Sequence, residues 1–203
     1  LDPYSPCPCG SGKKLKFCCS DLAGEIEKIY RKIEGDQSHA ALRDVEQLLA
    51  KHPDRASLLD LKAMLELALE DADAAAMTVG KLLELHPESA SAWANQAMLL
   101  AHREQAKEAA QALQNALNLI ETEMPQRVFE ALGAVGHTLL LAGQLVAAQA
   151  HLWLYTAIAR DDDDSALQIL ARLNQMSGLP VLMRERLRLM AWPTEVPWHA
   201  EAE

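Results

Sequence analysis

From Asp21 onward, apolar residues recur at helical spacing. Leu22, Ile26, Ile29 and Ile33 fall on one face, Gly35-Asp36 breaks the run, and Ala41, Val45, Leu48 and Leu49 make a second stripe that ends at His52-Pro53. The pattern predicts a helical hairpin. It then repeats: His52-Pro53 and His86-Pro87 lie 86 − 52 = 34 residues apart, a period known for helix–turn–helix repeats. The same shift superposes Ala41, Ala75 and Ala109, then Val45, Val79 and Leu113, then Leu48, Leu82 and Ala116. Small residues early in each second helix let the pair approach, and the later apolar ones fill the seam. Trp93 stands at a large-residue position of the first helix, with Leu59 and Glu25 at the two earlier equivalents. A fourth unit follows at a longer offset. Pairing Ala97 with Gly136 gives 136 − 97 = 39, so 39 − 34 = 5 residues are inserted, expected around Glu121–Pro125. Leu139, Gly143, Ala148, Leu152 and Tyr155 keep the hairpin pattern. Beyond the acidic run Asp161–Asp164, a shorter helix is expected over Ser165–Gln175, capped by Asp164 or Ser165, and another over Pro180–Met190.

Period, small-residue positions and turn prolines together resemble tetratricopeptide (TPR) repeats across roughly residues 22–160, the middle two units matching better than the first and last. The resemblance implies an all-α fold, a right-handed α-solenoid of about four TPR-like hairpins, whose first helices line a concave groove. A non-repetitive helical bundle is the alternative. Mapping the repeat pattern puts Asp60, Met64, Asn95, Met98, His102, Glu130 and His137 at the groove. Flexible methionines beside acidic and amide groups suit an apolar or basic peptide, and the set lacks the lysine and arginine clamp by which some such domains hold a peptide carboxylate. Equally, the methionines can simply pack between neighbouring helices.

Composition supports helices. Half the residues are apolar but only 4% are aromatic, a mixture that favours close-packed helices over a β-sandwich. The net charge of −10 argues against a general affinity for nucleic acid, and no DNA binding is expected. The charge is unevenly placed: residues 1–20 hold Lys13, Lys14 and Lys16 against Asp2, or 3 − 1 = +2, which leaves −12 for the rest. Neither a signal peptide nor an apolar run long enough to span a membrane is visible. All four cysteines fall within the first nineteen residues, unlike a distributed disulfide framework, so a reducing cytoplasm is expected. The chain starts at Leu1 and stops in a helix-like stretch, Trp198–Glu203, which suggests a piece of a longer protein.

Residues 3–20 are a different kind of sequence. Pro3, Pro6, Pro8, Gly10 and Gly12 exclude a long helix there. An extended Cys7-x-Cys9 puts both sulfurs on one side, Gly10-Ser11-Gly12 permits a tight turn, and Cys18-Cys19 can supply two further thiolates. Four sulfurs with none left over match a closed tetrahedral zinc site. A Cys-x-Cys redox pair leaves the second pair unexplained, and a vicinal Cys18–Cys19 disulfide would be strained. A phosphate loop at Gly12-Lys13 lacks the required earlier glycine and the following Ser or Thr.

The stretch PCPCGSGKKLKFCC resembles the SEC-C motif, the small metal-binding module at the C-terminus of the bacterial SecA translocation motor and in many other bacterial proteins. The family pattern is Cys-x-Cys, eight residues, then Cys followed by His or Cys. It is met at Cys7, Cys9, Cys18 and Cys19, with Cys in the fourth position where SecA has His, and Gly10-Ser11-Gly12-Lys13-Lys14 also agrees. The resemblance implies one Zn2+ per chain, iron being the other metal such ligands accept. Four thiolates with zinc carry −4 + 2 = −2, which the +2 of residues 1–20 balances. The expected organisation is a zinc knuckle over 1–20, TPR-like repeats over 21–160 and further helices over 161–203, continuing into a missing C-terminal region.

No catalytic constellation is present. His52 and His86 read as helix-end residues, His102, His137 and His151 are scattered, and Asp161–Asp164 lacks the glycine and glutamate of a calcium loop. The expected function is non-catalytic: a knuckle for docking and a groove for a protein or peptide partner. Contact with a ribosome or RNA through Lys13, Lys14 and Lys16 is one alternative; a targeting arm of a larger enzyme is another.

Overall fold

A computed structural model describes Tyr4, Cys7, residues 13–120 and 124–158, Ala166 and residues 168–170. After a 3-10 turn at Leu15–Phe17 come α1 (Ala23–Glu34), α2 (Ser38–Leu49), α3 (Ala56–Ala68), α4 (Ala72–Leu85), α5 (Ala90–His102), α6 (Ala106–Asn118), α7 (Gln126–Leu141) and α8 (Leu145–Ile158). No β-strand occurs among the described residues. Of the expected helix over 165–175, Ala166 and residues 168–170 are described and are helical. The acidic run Asp161–Asp164 and the segments 180–190 and 198–203 lie outside the described residues, as does Glu121–Glu123.

The helices pair in order, α1 with α2 through α7 with α8, and each second helix also packs on the following first helix. Among the first helices, α3 packs on α5 and α5 on α7. The result is a succession of hairpins built on one repeated joint. Inside each hairpin the joint carries a residue of positive φ: Asp36 (55°), Glu70 (62°), Glu104 (58°) and Gly143 (72°). Their spacings are 70 − 36 = 34, 104 − 70 = 34 and 143 − 104 = 39, the offsets that the apolar pattern predicts. At each joint the same two hydrogen bonds form. The N–H of the positive-φ residue donates to the carbonyl three residues back, and the next N–H donates to the carbonyl five back, as in Glu70 to Leu67 and Asp71 to Glu66. This is the Schellman closure, which satisfies carbonyls left over at a helix end.

The five extra residues of the last unit are shared. The α6–α7 connection has seven residues, 119–125, against four, 86–89, between α4 and α5, and α7 has 16 residues against 13 in α5. With α6 one residue shorter than α4, 3 + 3 − 1 = 5.

Burial follows the predicted stripes. Ala41, Ala75, Ala109 and Ala148 are fully buried, as are Val45, Val79 and Leu113. The largest cluster joins α5, α6, α7 and α8 around Leu113, Leu132 and Val135, and a second joins α1, α2 and α3 around Ile26, Val45 and Leu61. The last hairpin is close-set. A Cβ on Gly136 would lie 3.1 Å from Leu152 and one on Gly133 3.0 Å from Tyr155, whose ring stacks on Phe129 at 4.5 Å. Among the described residues no helix is long and apolar enough to cross a membrane.

Candidate metal centre

Three cysteines converge at the N-terminal end. The backbone N–H of Cys7 donates to the Lys13 carbonyl at 2.8 Å, and the 3-10 turn then brings Cys18 and Cys19 back, both donating to the Leu15 carbonyl at 3.1 Å. Leu15 is buried beneath the turn and packs with Cys7 and Cys19. The sulfurs of Cys7, Cys18 and Cys19 all lie within 4.8 Å of one another. Those three residues are close enough to hold a metal ion. Cys9, the remaining cysteine of the expected set, lies outside the described residues.

The spacing is informative. The Cys18 and Cys19 sulfurs are 3.8 Å apart, far beyond a covalent S–S length of about 2.05 Å, so these two are not bonded to each other. Metal–sulfur bonds of about 2.3 Å in a tetrahedron give a sulfur–sulfur edge of about 3.8 Å. Cys7 and Cys19 are buried and Cys18 is half-buried, so the thiols face each other in a largely dry pocket.

Cys19 Sγ lies 3.6 Å from the Ser57 hydroxyl oxygen, and Ser57 is in the first turn of α3, where the helix dipole is positive. The Cys19 thiol donates to that hydroxyl. The cysteine turn is also fastened to the helices: Ala23 and Ala56 pack against Cys7, Leu15 and Cys19, and Arg55 pairs with Asp21. Sequence alone left this packing open.

The three lysines are not alike. Lys13 and Lys14 are exposed, while Lys16 is half-buried with its ammonium 3.8 Å from the centroid of Tyr4 and 4.5 Å from that of Phe17. Lys14 lies 5.8 Å from the Tyr4 centroid. Both rings are exposed, giving a cation–aromatic patch in which Tyr4 was not foreseen.

The residues expected at the groove separate into two groups. Asp60 and Asn95 are buried, and Glu130 is half-buried. Asn95 Nδ2 donates to Asp60 and to the Ser91 carbonyl, and Arg127 bridges Asp60, at 3.5 Å, to Glu130. Met64 and Met98 pack against the two main apolar clusters, and His102 and His137 are exposed. Arg127 was missed, although its three-residue spacing from Glu130 was a usable clue. Burial opposes its charge, but Asp60 and Glu130 outweigh that and raise its pKa above the ordinary arginine value. Tyr30, on α1, completes the cluster: burial first, then the Asp60 charge, pushes its phenol up to about 12.

No protein-family profile matches the chain, and no curated protein matches it.

Proposed function

We propose that this chain is a non-catalytic interaction module with a SEC-C-like zinc knuckle and a right-handed TPR-like solenoid. Cys7, Cys9, Cys18 and Cys19 would hold one zinc ion, whose role is to fasten a segment too short to build its own core. An all-thiolate set leaves no open position for chemistry, which points to docking. The observation that carries the reading is the convergence of three cysteine sulfurs within 4.8 Å of one another, Cys18 and Cys19 at the 3.8 Å expected of a tetrahedral edge. The stacked hairpins support the second half, because such arrays offer extended concave surfaces to a protein or peptide.

The test has two stages. Metal analysis of the purified chain is expected to give one zinc, lost in Cys18→Ser. Pull-down from a bacterial lysate, with metallated and chelated protein side by side, is expected to recover a partner only with the metallated form. Identical recovery from both ends the docking role, and iron in place of zinc changes the metal while leaving the ligands.

A second reading, contact with ribosome or RNA through Lys13, Lys14 and Lys16, draws support from the exposed Tyr4 and Phe17 rings beside Lys16. It predicts co-sedimentation with ribosomes that falls steeply with salt. Salt-insensitive or absent binding rejects it.

A further inference from the structure

The second helices α2 and α4 stand apart, and a cleft of about 620 Å³ opens between them with α3 as its floor. Its walls come from the second helices α2 and α4, whereas the Asp60–Arg127 cluster lies on first helices. Leu42 and Leu49 of α2, Leu59 of α3 and Met77 of α4 give it apolar walls. Met77 is highly exposed at 75%.

The floor carries a charge pair that the fold does not require. Lys62 Nζ lies 3.4 Å from Glu66 Oε1 and 4.0 Å from Glu46 Oε1. Thirty-four residues on, Gln96 and Leu100 stand where Lys62 and Glu66 do, and Gly80 where Glu46 does. The neighbouring unit therefore closes the same joint without ions. Glu66 is only 3% exposed, and its second oxygen, Oε2, has no hydrogen-bond partner. Buried carboxylate oxygens are normally satisfied, and a ligand donor is one way to meet that need.

The other charges at the cleft are already committed. Asp71 caps α4 through the Ala74 N–H, and Lys81 reaches the Pro53 carbonyl and Asp54. One ammonium thus serves two carboxylates, of which Glu46 is half exposed to water and Glu66 is buried, so the unmet need is that of Glu66. We infer that the cleft is a binding site for an aliphatic chain ending in an ammonium group, with Glu66 as the ionic anchor and the leucines and Met77 around the stem. A free alkylamine and a lysine side chain of a peptide share this chemistry. The inference stands independently of the metal site and of the docking proposal.

The experiment is an amide-resolved NMR titration of the full chain. The probes are n-butylammonium chloride and acetyl-Gly-Lys-Gly-amide, with 1-butanol and the norleucine peptide as uncharged controls. Saturable shifts confined to α2, α3 and α4 are expected with the charged probes, weakened at least about tenfold by Glu66→Gln, the loss of one charged contact. The tighter of the two charged probes identifies the source. If Glu66→Gln does not fold, Met77→Ala on its exposed side chain carries the test, with binding about threefold weaker expected. Absent saturation, equal binding of the uncharged controls, or unchanged affinity in the folded variant overturns the inference.

Discussion

Leu15 and Leu132 are both buried side chains, yet they are held in different ways. Leu15 lies under the cysteine turn with Cys7 and Cys19, and among the described residues Cys18, Ala23 and Ala56 complete its apolar surroundings. Leu132 sits in a continuous cluster drawn from α5, α6, α7 and α8. A patch as small as the first cannot offset the chain entropy of ordering its segment, whereas the second can. The contrast predicts that the cysteine region needs a cross-link through its sulfurs, while the hairpins rest on repeated apolar contact.

The largest test of that contrast is metal removal. In Cys18→Ser, or after chelation, metal content is expected to fall to zero and the backbone amides near Leu15 to lose hydrogen-exchange protection. The far-UV helical signal should change little, because among the described residues before α1 only the three of the 3-10 turn are helical. Its collapse would mean that the hairpins also depend on the metal. Next comes Arg127→Ala, which leaves Asp60 buried beside fewer positive partners and is expected to cost about 4 kcal/mol in denaturant unfolding. Pairing Asp60→Asn with Arg127→Met should recover most of that loss, since a buried ion pair contributes little beyond a well-packed apolar substitute.

Leu132→Ala is expected to cost about 3 kcal/mol, and metal content should stay at its wild-type value. Tyr30 gives a pH-dependent version of the comparison. Its phenol is raised to about 12 in the fold from 10.0, so the folded state prefers the neutral form. That contribution is complete below about pH 10 and is lost as pH rises through about 12. Phenolate absorbance should show a late-titrating tyrosine that disappears in Tyr30→Phe, and alkaline destabilisation should be smaller in that variant. The smallest effect is expected at Glu70, held at a φ of 62°. Glu70→Gly should stabilise the chain by about 0.5 kcal/mol, relief of the left-handed backbone exceeding the entropy that glycine adds to the unfolded chain.

Much of the helical order was readable from one period. Ala41, Ala75 and Ala109 announced themselves because a close helix approach admits only small side chains, and all three are fully buried. The shift to 39 was readable for the same reason, through Gly136 against Leu152. The turn positions were harder to see. Asp36, Glu70, Glu104 and Gly143 share one backbone conformation but not one residue type, so position carried the signal and identity did not. Three of the four cysteines were brought together as their spacing suggested. Arg127 and Glu66 were illegible for a common reason: a buried charge looks like a surface charge in sequence. Its partner is set by packing across long separations, as Arg127 and Asp60 are 127 − 60 = 67 residues apart.

The contacts of Cys19 with Ser57 and of Asp21 with Arg55 have a mechanical consequence. They tie the residues just before the first hairpin to the start of the second. The sulfur cluster and the first turn of α3 are therefore thermodynamically linked. Whatever tightens the sulfurs resists fraying of that turn, and whatever displaces the turn loosens the sulfurs by the same free energy. The clasp makes metal occupancy a reporter on the joint between two hairpins: Ser57→Ala, distant in sequence from every cysteine, should register as weaker metal retention.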